Sequence, residues 1–127
     1  LSLWLLVCPA KAKLTEDGCK ALTLFHESRG ESIEGARAVL TVVHNRMRID
    51  GMTACEVMSA KGQFSWYDEH KKWQANKEAL TLLNKTRKMP AKLPRTVYYF
   101  KVGKGKVKWF GEYWGRIGRH VFFHKEK

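Results

Sequence analysis

The stretch from Thr15 to Gly51, TEDGCKALTLFHESRGESIEGARAVLTVVHNRMRIDG, reads as two helices back to back and sets the character of the chain. Thr15 is a good N-cap, and Glu16 and Asp17 place negative charge where a helix presents its unpaired N–H groups. Ala21, Leu22 and Phe25 repeat at helical spacing, Leu24 widens the stripe, and Gly30 suits the left-handed residue that closes a helix. The first helix is predicted from Asp17 to Arg29, with Glu27 in its last turn. Ser32 caps the second. There Ile33, Ala36, Val39, Leu40, Val43 and Met47 follow the i, i+3, i+4, i+7 pattern, and Gly51 marks its end or the loop behind it.

Working outward, a short helix is predicted over Thr53 to Ser59. A third long helix is predicted from Glu69 to Arg87, turning Trp73, Leu80 and Leu83 inward and stopping before Pro90. Beyond Pro94 the composition changes. Thr96 to Phe100 is β-branched and aromatic, as strands are. Gly103-Lys104-Gly105 suits a tight turn from which Val107 to Phe110 pairs back, and His120 to His124 reads as a last short strand. Neither a repeat nor a linker interrupts Leu14 to Lys127. The expectation is one α+β domain, mainly helical, with a small β region towards the C-terminus.

The 127 residues suffice for one domain, and an apolar fraction of 44% with five Trp, four Tyr and six Phe can fill its core. Lys and Arg outnumber Asp and Glu by 24 to 12, a net charge of +12 that attracts polyanions. Nucleic acid, anionic lipid and the anionic bacterial envelope all qualify. Leu1 to Val7 is an apolar run followed by Cys8, Pro9 and Ala10-Lys11-Ala12, the order found at the end of a secretory signal. Residues 1–12 are therefore read as a signal remnant or N-terminal anchor, with the folded domain over 13–127. The alternative is an N-terminal strand or helix packed on the domain. A membrane span needs about 20 apolar residues, more than this run supplies, so no stable insertion of the mature domain is expected. If Cys8 leaves with the signal, Cys19 and Cys55 form an even pair. Export favours a disulfide between them, and two buried free thiols are the alternative.

The candidate chemistry centres on Glu27, set before the Arg29-Gly30-Glu31 turn and beside Phe25. An apolar wall raises a carboxyl pKa and keeps the group protonated near neutrality, as a glycosidase acid requires. A surface Glu at a helix end is the bland reading. Glu31 or Glu34 is the candidate second carboxylate of a two-carboxylate hydrolase. A local contact that holds the turn is the alternative for Glu31 and the preferred reading for Arg29. His26, His44 and His70 lack metal-ligand spacing. His120 and His124 share one face of a strand, where a hydrogen-bonded structural role outweighs zinc, so no metal is expected. Nothing resembles a Cys-His or Ser-His-Asp arrangement. Sugar rings pack on aromatic faces, and Trp66 and Tyr98 are the aromatics placed near a cleft, the others being assigned to the core.

The segment Cys19-Lys-Ala-Leu-Thr-Leu-Phe-His-Glu-Ser-Arg-Gly-Glu31, followed by Ala38-Val-Leu-Thr-Val-Val-His-Asn-Arg46, resembles the cell-wall hydrolases of the spore cortex-lytic (SleB) type. Their pattern is a helix ending in Glu-Ala-Arg-Gly-Glu and another ending in Asn-Arg; Ser28 stands here in place of the Ala. Further pieces follow in family order: Cys55-Glu-Val-Met58, Gly62-Gln-Phe-Ser-Trp66, and Ile117-Gly-Arg-His120, where the family has Ile-Gly-Asn-His. The resemblance implies a lysozyme-like fold like that of lytic transglycosylases, in an enzyme secreted, periplasmic or delivered by a phage, as an endolysin is. It implies Glu27 as the single general acid, cleaving the bond from N-acetylmuramic acid to N-acetylglucosamine in peptidoglycan glycan strands to give a 1,6-anhydro product. No cofactor is implied. Gln63 and Ser65 become candidate substrate contacts, His120 a support of the cleft, and Glu31 a secondary site candidate. A monomer is expected, held near the wall by anionic envelope polymers.

Two other classes compete. Lys101, Lys104, Lys106 and Lys108 with Tyr99 and Trp109 resemble a single-strand nucleic-acid surface, where aromatics stack bases and lysines meet phosphates. The signal-like start argues against nucleic acid as the partner. A non-catalytic wall-binding protein would keep the cleft and release no fragments.

Overall fold

The computed structural model describes residues 14–103 and 111–125. The reading of residues 1–12 as a signal or anchor lies outside them, as do the returning strand expected at Val107 to Phe110 and three of the four lysines of the nucleic-acid reading.

Helix α1 (Glu16–Ser28) and helix α2 (Ile33–Asp50) form where their caps and stripes placed them. The Thr15 and Ser32 hydroxyls accept from the N–H groups of Gly18 and Gly35, and Gly51, with φ of 65°, closes α2 in the left-handed conformation. Ala36, Val39, Leu40 and Val43 are buried as expected, whereas Ile33 in the first turn of α2 is 39% exposed. Helix α3 (Ala54–Ser59) opens on a capping box made by Thr53 and Glu56.

The third long helix is shorter than its apolar spacing suggested. Helix α4 is Lys77–Thr86, because the Asn76 side chain accepts from the Ala79 N–H and starts the helix there. Residues 69–76 are not helical. Trp73 instead donates its indole N–H to the Asp68 carbonyl and stacks on Tyr67. Leu83 is buried, and Leu80 is 38% exposed rather than inward.

Among the described residues the sheet has three antiparallel strands, β1 (Val97–Val102), β2 (Glu112–Ile117) and β3 (His120–His124), in the order β1-β3-β2. The last strand is central, which is why Val121, Phe122 and Phe123 are fully buried. Helix α2 packs on β1 and spans the middle of the domain. Asn45, buried in α2, donates to the carbonyls of Pro94 and Val97 and fixes the entry to β1. The Arg46 guanidinium lies 4.7 Å from the Tyr98 ring centre, so the Asn-Arg pair of α2 serves this junction. The helix-first, sheet-last order makes an α+β domain.

Helix α1 is anchored at both ends. At its start, the Glu16 carboxylate accepts from the N–H groups of Ala54 and Cys55 at 2.6 and 3.2 Å, and a disulfide joins Cys19 to Cys55. At its finish, Ser28 is buried with its hydroxyl on the Leu24 carbonyl, and Gly30, with φ of 85°, turns the chain into α2.

Candidate active site

Glu27 sits in the last turn of α1 and projects into a cleft of about 390 Å³. One wall is the loop after α3, contributing Gln63, Phe64 and Ser65, and the other is β1, contributing Tyr99, Phe100 and Lys101. Phe64 and Phe100 are buried, so the floor of the cleft is apolar. The indole Nε1 of Trp66 donates to Glu27 Oε2 at 3.2 Å. Burial pushes the Glu27 carboxyl above its ordinary pKa, and the Trp66 hydrogen bond opposes part of that rise. Such a group holds a proton to a higher pH than an exposed Glu and can deliver it within the cleft.

Four of the residues singled out in the sequence thus converge: Glu27, Gln63, Ser65 and Trp66. Tyr98 does not. It faces the other way, its hydroxyl donating to Asp50 and its ring lying between Arg46 and Lys125, and burial with the Asp50 bond pushes its pKa up to about 12. A bulge between Val97 and Tyr99 shifts the register of β1 against β3, and Tyr99 is the tyrosine that reaches the cleft. Phe25 is not the apolar wall either. It lies under the Arg29 guanidinium in a groove with α4, on the opposite side of α1.

Glu31 is held outside the cleft. Its carboxylate accepts from the Arg119 backbone N–H at 2.8 Å and pairs with the Arg119 guanidinium at 2.9 Å. The backbone bond first, and the guanidinium beside it, hold its pKa below the usual carboxylate range. The side chain is 7% exposed, and its bonds to Arg119 clasp the α1–α2 turn to the β2–β3 hairpin. That hairpin turns on Gly118 and Arg119. Gly118 has φ of 59°, as the first central position of a two-residue hairpin turn requires, and any Cβ there would stand 2.6 Å from Glu31 Oε1. Only glycine satisfies both demands.

His120, at the start of β3, is fully buried with Nδ1 3.4 Å from Glu31 Oε1, and burial lowers its pKa despite that carboxylate. It backs the turn after Glu27 and does not line the cleft. Glu34 is exposed in the first turn of α2. Two other carboxylates, Asp68 and Glu69, line a separate depression that shares Gly62 and Phe64 with the cleft. Among the described residues no group of three or more His, Cys, Asp or Glu is placed to hold a metal ion. No helix among them is long and apolar enough to cross a membrane.

The site is thus a desolvated carboxyl at a helix end, facing a cleft lined by Phe64, Tyr99 and Phe100. The sequence model of the cell wall hydrolase family matches residues 30–123, well over half of the chain, and the protein belongs to that family. Its substrate is accordingly the peptidoglycan of the wall. The matched span takes in the Glu31–Arg119 clasp, the loop carrying Gln63 and Trp66, and the sheet; Glu27 stands just before it. No curated protein and no solved structure matches the chain.

Proposed function

We propose that the protein is a lytic transglycosylase of lysozyme-like type, acting outside the cytoplasm, with Glu27 as its one acid-base group. The observation that carries this reading is the Glu27 carboxyl itself, desolvated and facing a cleft in which, among the described residues, no other carboxylate shares the lining. Glu27 first gives its proton to the glycosidic oxygen between N-acetylmuramic acid and N-acetylglucosamine. As a carboxylate it then takes the proton of the muramic 6-hydroxyl while that oxygen closes on C1. The product is a 1,6-anhydro end, and the carboxyl is again protonated. Gln63 and Ser65 line the cleft where they can bond sugar hydroxyls.

The test is mass spectrometry of fragments released from purified peptidoglycan. Anhydro-muropeptides are the expected products. Reducing ends instead would show hydrolysis and shift attention to Asp68, the carboxylate beside the shared Gly62–Phe64 wall. Absence of fragments from several wall types would leave a binding protein.

The charge of +12 gives a second expectation, since phosphate and carboxylate groups make the envelope negative. Turnover on whole walls should fall as salt shortens the Debye length from about 30 Å at 0.01 M to about 3 Å at 1 M. Turnover of a short neutral glycan should hardly change. Equal salt sensitivity on both substrates would remove the envelope-steering role.

A further inference from the structure

Glu27 receives a hydrogen bond at one of its two oxygens, and the donor is of a kind that fixes the sense of the bond. The indole Nε1 of Trp66 lies 3.2 Å from Oε2. An indole N–H gives one proton and has no lone pair to accept another. Oε2 is therefore the accepting oxygen in both protonation states of the carboxyl. We propose that Trp66 is a positioning residue for the acid, holding the Glu27 proton on Oε1 and so directing it into the cleft. This rests on the reading of Glu27 as the general acid.

The aim of the indole is itself fixed by packing. His26, the neighbour of Glu27 on α1, stacks on Trp66 at 4.3 Å with planes 15° apart. Phe64 lies near-parallel to it at 5.5 Å, and Trp73 and Tyr67 meet it edge-on at 5.4 and 6.2 Å. Ring packing of this kind leaves the indole little freedom about its side-chain torsions. Because His26 comes from α1 and the other rings come from residues 64–73, the cluster ties the segment after α3 to the turn that carries the acid.

The same bond serves the second half of the reaction. Once Oε1 has given up its proton, the indole N–H remains on the carboxylate and stabilises its charge. The charged and titratable groups facing this pair are Tyr99 and Lys101 from β1, His120 from β3 behind the Glu27 main chain, and His26 and Tyr67 against the indole. Lys71 and Arg29 lie close enough to His26 that, after burial, they help keep it neutral.

The test reads the bond directly. In the wild type, the Trp66 indole ¹⁵N–¹H resonance, assigned through its contacts with the His26 ring, should shift with pH in step with the Glu27 side-chain ¹³C carboxyl signal. In Glu27→Gln it should stop following that titration. In Trp66→Phe, which keeps an aromatic ring and loses the donor, Glu27 should titrate at higher pH, and the alkaline limb of kcat on a soluble glycan should move with it. Loss of a hydrogen bond to a charged group predicts a kcat lower by about 10–100-fold, with KM within about twofold because the bond is made to the enzyme rather than to substrate. An indole signal indifferent to the Glu27 titration overturns the proposal, as does a Trp66→Phe protein whose Glu27 titrates unchanged. The wild-type and Glu27→Gln spectra carry the test even if Trp66→Phe folds poorly. An active Glu27→Gln enzyme would overturn the acid reading and this proposal with it. That case is distinguishable, because the two resonances would still titrate together.

Discussion

Replacing Glu27 by Gln should lower fragment release from peptidoglycan by about 10²–10⁴-fold, the range a single general acid supplies, without lowering thermal stability. Gln preserves size and can still accept from Trp66, so the cleft and its aromatic cluster should persist. What it removes is a carboxyl that burial holds above its ordinary pKa. The linkage sign follows. A group whose folded pKa is raised contributes stability that is full below its unfolded pKa and is lost as pH rises through the folded value. Glu27 therefore weakens the fold at high pH relative to an uncharged residue. Melts of the two proteins should nearly coincide at pH about 4, near the unfolded carboxyl pKa, and the variant should melt higher once Glu27 has ionised. Wild-type activity should fall across the same window, since the acid must carry its proton to begin. A variant that loses activity and stability together at every pH would make Glu27 structural. Full activity would move the chemistry elsewhere.

The parts of this site that were legible in the sequence are those set by local rules. Thr15, Ser32 and Thr53 announce helix starts through cap chemistry, and the even stripe of α2 announces its buried face. Together they place Glu27 at a helix end. The errors share a different origin. Trp73, Leu80 and Leu83 match helical spacing, yet Asn76 starts the helix and the Trp73 ring is spent on the aromatic cluster. Spacing alone cannot say which of two competing contacts a ring will make. Tyr98 and Tyr99 exchange roles because a bulge in β1 shifts one residue, and a one-residue shift in a strand reverses every face. Phe25 stands two residues before Glu27, and residues two apart on a helix point to nearly opposite sides, so it cannot wall that carboxyl. Glu31 was open between a catalytic and a holding role. Its partner Arg119 lies 88 positions along the chain, so only the fold joins them.

The bridge between Cys19 and Cys55 should carry the second large effect, and on stability rather than on chemistry. The cysteines are separated by 36 in sequence, so removing the bridge frees a long loop in the unfolded chain. The chain-entropy relation then predicts a loss of about 3–4 kcal/mol, or roughly 10–20 °C in Tm for a domain of this size. The double variant Cys19→Ala with Cys55→Ala, or the reduced wild type, should show it in thermal melts. Cys19 is 1% exposed, so alanine keeps the apolar character of the site. Activity measured well below the lowered Tm should survive. The bridge and the Glu16 bonds hold the first turns of α1 to α3, whereas Glu27 lies in the last turn, fixed by Trp66 and by the Glu31–Arg119 clasp next to it. An unchanged Tm on reduction would mean that the thiols are not joined in the folded protein. A cold, folded variant without activity would mean that α1 moves as one rod and the clasp cannot hold its catalytic end alone. Replacing Arg119 with Ala in the bridged protein would then reproduce the same loss from the other end of the helix.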